Sequence, residues 1–246
     1  MLQHMANIDR GQRARRYTPP TNSCQIRLNE LLEFTSRTKN IEQKSLFREQ
    51  TDADLDVFYA GDLSLLKRRC VSVIGARDVS EQGAGRARKI ARSLADAGVV
   101  VVSGLAKGVD IEAHRATLEV GGDTVAVIGT PLGKCYPIDH ASIQEEIWSQ
   151  HLLISQFKAG TRTFPSDFPK RNRLMAALTD ASVIVEASDS SGTLHQAAEC
   201  VKLGRWLFIM KSVAENPDLE WPAKFLGYEK CAKLEDVAQI LEAVAH

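Results

Sequence analysis

The chain has 246 residues, 44% of them hydrophobic, with 31 Lys plus Arg against 31 Asp plus Glu. These are the proportions of a folded protein with one sizeable core. The formal net charge of +0 excludes a strongly basic field over the whole molecule, so any polyanion must be met by local charge. The cysteines Cys24, Cys70, Cys135, Cys200 and Cys231 are scattered without a Cys-x-x-Cys pair. That spacing argues against zinc or a redox dithiol and fits reduced thiols in a cytoplasmic protein.

Residues 1–24 read as a disordered basic leader. Its run Arg10-Gly11-Gln12-Arg13-Ala14-Arg15-Arg16 suits a solvated tail, a transit segment or a nucleic-acid-binding arm, and no secretory apolar stretch accompanies it. Over 25–66 the apolar positions Ile26, Leu28, Leu31, Leu32, Phe34, Leu46, Leu55, Phe58 and Tyr59 predict short helices, a small helical extension. From 67 to 246 apolar runs alternate with helical patterns. Strands are expected at Cys70–Ile74, Val99–Ser103, Thr124–Ile128, Leu152–Ser155, Ser182–Glu186 and Trp206–Met210. Helices are expected near Ser80–Ala97, Asp110–Val120, Ala141–Gln150, Lys170–Thr179 and Gly192–Leu203. This alternation predicts an α/β, doubly wound, mostly parallel Rossmann-like sheet with a short C-terminal α/β tail. No apolar run approaches the roughly 20 residues of a membrane helix.

In such a sheet ligands sit at the carboxyl ends of the strands. Turns expected on that rim are Gly75-Ala76-Arg77, Ser103-Gly104-Leu105-Ala106-Lys107-Gly108, Gly129-Thr130-Pro131-Leu132-Gly133, and Glu186 through Ser190-Ser191-Gly192-Thr193. The second joins a buried strand to a helix start, where unpaired N–H groups and the helix dipole attract an anion and Lys107 adds a full charge. Pro169 suits a first helical position, which would place Lys170, Arg171 and Arg173 in a first turn that their charge opposes. Such a cluster asks for an anion or for carboxylate partners.

A dinucleotide cofactor fits this fold class but not these residues. The first turn is not Gly-x-Gly-x-x-Gly, Arg77 intrudes where close backbone approach is wanted, and the second strand ends in Ser103 instead of a ribose-binding acid. No ATPase-type phosphate loop occurs either, and no cofactor is expected. Asp110 and His114, four apart, suit acid–base work or metal ligation, but equally an N-cap and a packed, hydrogen-bonded histidine. Glu186 reads as a general base or as the partner of Arg77 or Arg171. Ser191, Gly192 and Thr193 offer a ligand contact or simple N-capping. Tyr136, Phe157, Phe164 and Phe168 come from loops near the same rim and suit either the core or base stacking.

Taken in order, Val71-Ser72-Val73-Ile74-Gly75-Ala76-Arg77, Ser103-Gly104-Leu105-Ala106-Lys107-Gly108-Val109-Asp110 with His114, and Gly122 to Gly129 form a recognisable series. Tyr136-Pro137, Ser155, Phe168-Pro169-Lys170-Arg171-Asn172-Arg173, Val185-Glu186-Ala187 and Ser191-Gly192-Thr193 continue it. The series resembles the DprA/Smf family of DNA-processing proteins. That resemblance implies a nonenzymatic, dimeric protein that binds single-stranded DNA and helps load a RecA-type recombinase during transformation or recombination. It further implies that Arg77, Lys107, Lys170, Arg171 and Arg173 meet phosphates, with Ser103, Gly104, Asn172, Ser191, Gly192 and Thr193 beside them. Departures are Ala76 for a usual serine, Gln156 for a usual glutamate, and Met210-Lys211-Ser212 after the last core strand. The wider superfamily holds nucleotide sensors and phosphoribohydrolases, but Gln196 stands where the hydrolases carry an acid, and an amide is no general base.

Overall fold

The computed structural model describes residues 16–36 and 55–245. Residues 1–15, with most of the basic leader, lie outside them, as do Leu46 and its neighbours. One sheet of 9 strands organises the fold, in the order β1-β2-β6-β5-β4-β3-β7-β8-β9. Its parallel centre is β3 (Cys70–Ile74), β4 (Val100–Ser103), β5 (Thr124–Ile128), β6 (Leu152–Ser155), β7 (Ala181–Ile184) and β8 (Trp206–Met210). The connecting helices are α2 (Glu81–Asp96), α3 (Val109–Glu119), α4 (Ala141–Gln150), α5 (Asp167–Ala177) and α6 (Thr193–Lys202). These elements match the expected strands and helices to within a few residues.

The strands are apolar throughout because helices cover both faces. Side chains alternate between the covers: Val100 and Val102 join Leu174, Met175 and Ala177 of α5 on one face. Val101 joins Ala87 and Ala91 of α2 and Ala113 of α3 on the other. A buried polar link ties the centre together, where the Ser72 and Ser182 hydroxyls of neighbouring β3 and β7 lie 2.6 Å apart.

Residues 25–66 differ from the helical extension expected. Their described residues hold a short helix, α1 (Leu28–Phe34), and a 3-10 turn at Leu63–Lys67, but also β1 (Cys24–Arg27) and β2 (Asp56–Gly61). β2 pairs antiparallel with β6, and β1 with β2, so this stretch extends the sheet. The apolar spacing missed this because in β2 only Val57 and Ala60 are fully inside, three residues apart, a spacing that a short helix also gives. The end of the expected disordered leader is also tied down. Tyr17 donates to the Leu132 carbonyl at 2.8 Å, and the Trp148 indole donates to the Thr18 carbonyl at 3.2 Å.

After β8 the chain forms α7 (Lys211–Ala214) and α8 (Trp221–Phe225), then β9 (Cys231–Leu234), which adds a parallel strand beside β8, and α9 (Val237–Ala243). Trp221 anchors this segment: it is 1% exposed, its indole donates to the Ala187 carbonyl at 3.1 Å, and its own N–H meets Asp189 Oδ1 at 2.9 Å. Trp221→Ala is expected to cost about 3–5 kcal/mol of stability, the usual penalty for emptying an aromatic core site. Urea unfolding followed by circular dichroism measures it, and a loss under 1 kcal/mol would contradict the anchoring role.

Candidate nucleic-acid interface

The strand order reverses at β3, which has β4, β5 and β6 on one side and β7 and β8 on the other. Strand ends diverge at such a point, and a crevice opens outside the carboxyl ends. Here it is a cleft of about 1050 Å³, with Gly75, Arg77, Phe168, Asn172, Glu186 and Thr193 among its lining residues. A smaller pocket adjoins it, lined by Gly104, Lys107, Gly129, Thr130, Tyr136 and Pro137. Arg77 and Phe168 line both. The expected turns thus do converge on one rim.

Arg77 is exposed, and its guanidinium lies 5.0 Å from the centre of the Phe168 ring. Phe168 in turn stands 6.0 Å from Tyr136, which is 60% exposed. This places a cation on an aromatic pair at the divide between the two hollows. Lys107 is exposed beside it. Phe164 is exposed under the Arg162 guanidinium, and Phe157 is half-buried.

Arg171 is unlike these cations. It is 4% exposed, donates through Nη1 to the Gly104 carbonyl and, at 2.8 Å, to the Val127 carbonyl, and through Nε to Asn172 Oδ1 at 2.8 Å. The expectation of a solvent-facing phosphate ligand therefore meets a side chain spent inside the protein. Gly104 has no Cβ because one would lie 1.8 Å from Arg171 Nη1. Burial pushes the Asp110 carboxyl up against the pull of the Arg171 charge, and pushes the Arg171 guanidinium down.

Several local expectations change. α5 begins at Asp167, so Pro169 is its third residue and only Lys170 of the cations lies in the first turn. Asp167 opens the helix because its carboxylate accepts from the Phe164 N–H at 2.8 Å, and it also faces Lys170 at 3.4 Å. Arg173 lies 3.7 Å from Glu199. Lys170 and Arg173 line neither hollow. Asp110 is the second residue of α3 and not its N-cap, which is Gly108. Gly108 has φ 77° and a Cβ there would come within 2.2 Å of the Ala76 carbonyl oxygen, so this turn requires glycine.

Glu186 pairs with neither arginine. Its carboxylate accepts from the Ser80 N–H at 2.9 Å and from the Ser80 hydroxyl at 2.6 Å, at the start of α2. It occupies the place where a dinucleotide-binding fold would seat a phosphate. Ser103 is fully buried and donates to the Val73 carbonyl at 2.7 Å. Gly192 is the N-cap of α6, and the Ser191 hydroxyl accepts from the Thr193 N–H at 3.2 Å. Gln196 is fully buried and donates to the Ser72 and Ser182 hydroxyls at 2.9 and 3.2 Å. His140, which no sequence motif marks, holds the Lys107 loop: its Nδ1 lies 2.9 Å from the carbonyl oxygen of Leu105, a residue with a left-handed φ of 59°. Among the described residues no group of three or more His, Cys, Asp or Glu is arranged to hold a metal, and no helix is long and apolar enough to cross a membrane.

Fold and cleft define a doubly wound α/β protein with a cation-edged binding crevice at its topological switch point. The chain belongs to the DNA recombination-mediator protein A family, whose pattern matches residues 37–245. It is 41% identical over 157 residues to DNA processing protein DprA of Streptococcus pneumoniae, covering 64% of this chain and 55% of that protein. It is 34% identical over 173 residues to Protein Smf of Escherichia coli, covering 70% of this chain and 46% of that one. The chain thus spans about half the length of these curated relatives. The X-ray structure of the S. pneumoniae protein superposes with a TM-score of 0.75 at 31% identity, over 90% of this chain and 74% of that one. A structure of DNA processing protein A from Helicobacter pylori, described for its single-stranded DNA binding mode, has a TM-score of 0.71 at 22% identity, over 91% and 96%.

Two outcomes test the buried chemistry. Arg171→Ala is expected to destabilise the fold by about 3–5 kcal/mol, because it removes the partner of the buried Asp110 carboxyl and of the Gly104 and Val127 carbonyls. Arg171→Lys, which cannot reproduce the fork, should recover little of this; equilibrium denaturation measures both, and near-native stability of either variant would contradict the clamp. His114 is fully buried with Nδ1 2.8 Å from the Thr124 hydroxyl, and burial, with His140 adding to it, pushes it down to about 3. A folded-state value below the unfolded one means the unfolded chain binds the extra proton. Stability is therefore complete above about pH 6.5 and falls by up to about 1.4 kcal/mol per unit as pH drops toward 3. Urea midpoints between pH 7 and 5 should fall more steeply in the native protein than in His114→Gln; equal slopes would refute the assignment.

Proposed function

We propose that this protein binds single-stranded DNA along the Arg77–Lys107 edge without catalysing a reaction, in DNA uptake or recombination. The observation that carries this reading is Arg77 over Phe168 beside exposed Tyr136: a phosphate partner and stacking surfaces on one ridge. Phosphates supply affinity independent of sequence, and a base has access to an aromatic face only when the strand is single. Family membership supports it, as does the single-stranded DNA binding described for the H. pylori protein. Loading of a RecA-type recombinase and a homodimeric state are part of the same proposal, drawn from the family resemblance. Lys170 and Arg173 contribute to the field near the ridge, while Asn172, Ser191, Gly192 and Thr193 line the adjoining cleft. Arg171, Ser103 and Gly104 act from beneath, as the frame of the Lys107 loop.

A nonenzymatic role is supported by the fates of the acids. Glu186 caps a helix, Asp110 is buried against Arg171, and position 196 is an amide bonded to serine hydroxyls.

Fluorescence anisotropy of a labelled oligonucleotide across a salt series tests the reading. Log affinity should fall linearly with log salt, by about 0.7 per phosphate contact. Arg77→Ala and Lys107→Ala should each flatten the slope by about one contact, and Arg173→Ala by less. Tyr136→Ala should cost about 1–3 kcal/mol with the slope unchanged. No saturable binding at low salt would overturn the proposal.

A further inference from the structure

Lys107 and Tyr136 line the same small pocket but sit on different loops, Lys107 after β4 and Tyr136 after β5. Both side chains are exposed, so their separation is set by the backbones beneath them. The start of α4 joins those backbones. His140 closes the 3-10 turn Ile138–His140, is buried, and has Nδ1 2.9 Å from the Leu105 carbonyl oxygen. Gln144, also buried, donates through Nε2 to the Lys134 carbonyl at 3.1 Å. Residues four apart share one side of a helix. One of them therefore holds the backbone two residues before Lys107, and the other the backbone two residues before Tyr136.

Leu105 depends on this support. It is a non-glycine residue at φ 59°, a conformation that persists only where the surroundings impose it. Its side chain packs in one cluster with Ile111, Ile128 and Leu132, and its carbonyl faces His140. A carbonyl only accepts, so Nδ1 carries a hydrogen in the neutral ring and in the imidazolium alike. Protonation thus leaves the bond in place and adds a charge beside Lys107.

The groups facing that charge come from three elements. Burial pushes the ring below the usual histidine value, and Arg115 of α3 and Lys107 push the same way, against the Leu105 carbonyl and Asp139. His114 of α3 is a second ring within electrostatic reach. A phosphate on Lys107 offsets one of the opposing cations, which favours the charged ring. The complex then holds more proton than its separate parts, and by linkage affinity rises as pH falls.

We propose that His140 is a positioning residue of the strand-binding edge: it latches the Lys107 loop to the turn that follows Tyr136, and it takes up a proton when a strand phosphate lies on Lys107. This role rests on the strand-binding reading above. His140→Asn keeps a donor near the place of Nδ1 but does not titrate. His140→Ala keeps neither property.

Anisotropy with a labelled oligothymidylate, whose bases do not titrate in the range, is read from about pH 8 to about pH 5.5, which brackets the ordinary histidine value. At the alkaline end His140→Asn should bind close to native and His140→Ala roughly tenfold more weakly, the scale of a misplaced stacking surface. On acidification the native protein should gain roughly fivefold in affinity, and His140→Asn should lose that gain while sharing every other histidine. Hydrogen exchange of the amides of residues 105–108, measured without any strand, should quicken in His140→Ala and return toward native in His140→Asn. His140 loses the proposed role if Asn binds as weakly as Ala, if the native and Asn pH profiles coincide, or if exchange in folded His140→Ala is native-like. Should His140→Ala fail to fold, the comparison of native with Asn profiles decides alone. Any of these failures in a native protein that binds the oligonucleotide leaves strand binding standing. Absence of native binding at low salt overturns strand binding and the proton uptake together, and exchange still decides the latch.

Discussion

The guanidinium of Arg171 is the constraint around which the binding rim is arranged. It leaves α5, passes beneath the rim and hydrogen-bonds carbonyls at the ends of β4 and β5, with its charge facing Asp110 at the start of α3. Dehydrating such an ion costs several kcal/mol, which only several well-placed acceptors offset. Those acceptors are the carbonyl of Gly104 just past β4 and that of Val127 near the end of β5, so one side chain ties two neighbouring strand ends together. Gly104 is the geometric counterpart, since any side chain there would strike the guanidinium. Fixing Arg171 also fixes Phe168 one helical turn before it. Phe168 abuts Gly129, where a Cβ would approach its ring to 2.7 Å, and it carries Arg77 on its face. A buried cation thus positions an exposed one.

The same logic explains how a chain of zero net charge presents a cationic edge. In a doubly wound fold the helix start after the first parallel strand is the natural anion site. Here Glu186, from the end of β7, fills it and satisfies Ser80. Gly83 completes the arrangement, because a Cβ there would lie 2.3 Å from Glu186 Oε2. With the inner anion site taken by the protein's own carboxylate, positive charge remains outside, on Arg77 and Lys107. A polyanion is better suited to that distribution than a dinucleotide whose pyrophosphate must reach the helix start.

The core was legible because buried parallel strands must be apolar on both faces, and runs such as Val99–Ser103 have no other reading in a protein of this size. The convergence of turns was equally legible, since topology alone brings parallel strand ends together. The roles within the site were less so. Lys170, Arg171 and Arg173 are neighbours in sequence and chemically alike, yet helical rotation sends Arg171 inward and leaves the other two near Asp167 and Glu199. Sequence spacing holds that rotation only if the helix start is known, and Pro169 suggested a start two residues late. Glu186 and Ser80 are 106 positions apart, a pairing no local pattern encodes. The strands β1 and β2 at one end of the sheet were hidden for a related reason: few of their residues are buried, and Val57 and Ala60 sit three apart, a spacing that short helices also show.

The addition of β9 at the opposite end of the sheet determines where the cleft can be. A six-strand parallel core would place the switch point beside β7 and an open β8 edge, with little to enclose a ligand. β9 pairs with β8 and Trp221 seats the intervening segment against the Ala187 carbonyl, so the residues after β8 are held over the strand ends as a wall. The wall meets the cleft with apolar Val213 and Leu219, while the opposite side meets it with arginine. Enclosure therefore comes from one end of the chain and charge from the middle. The cleft is asymmetric by construction, with Arg77 and Arg86 on one side and a mixed wall of Ser212, Val213, Asn216 and Leu219 on the other.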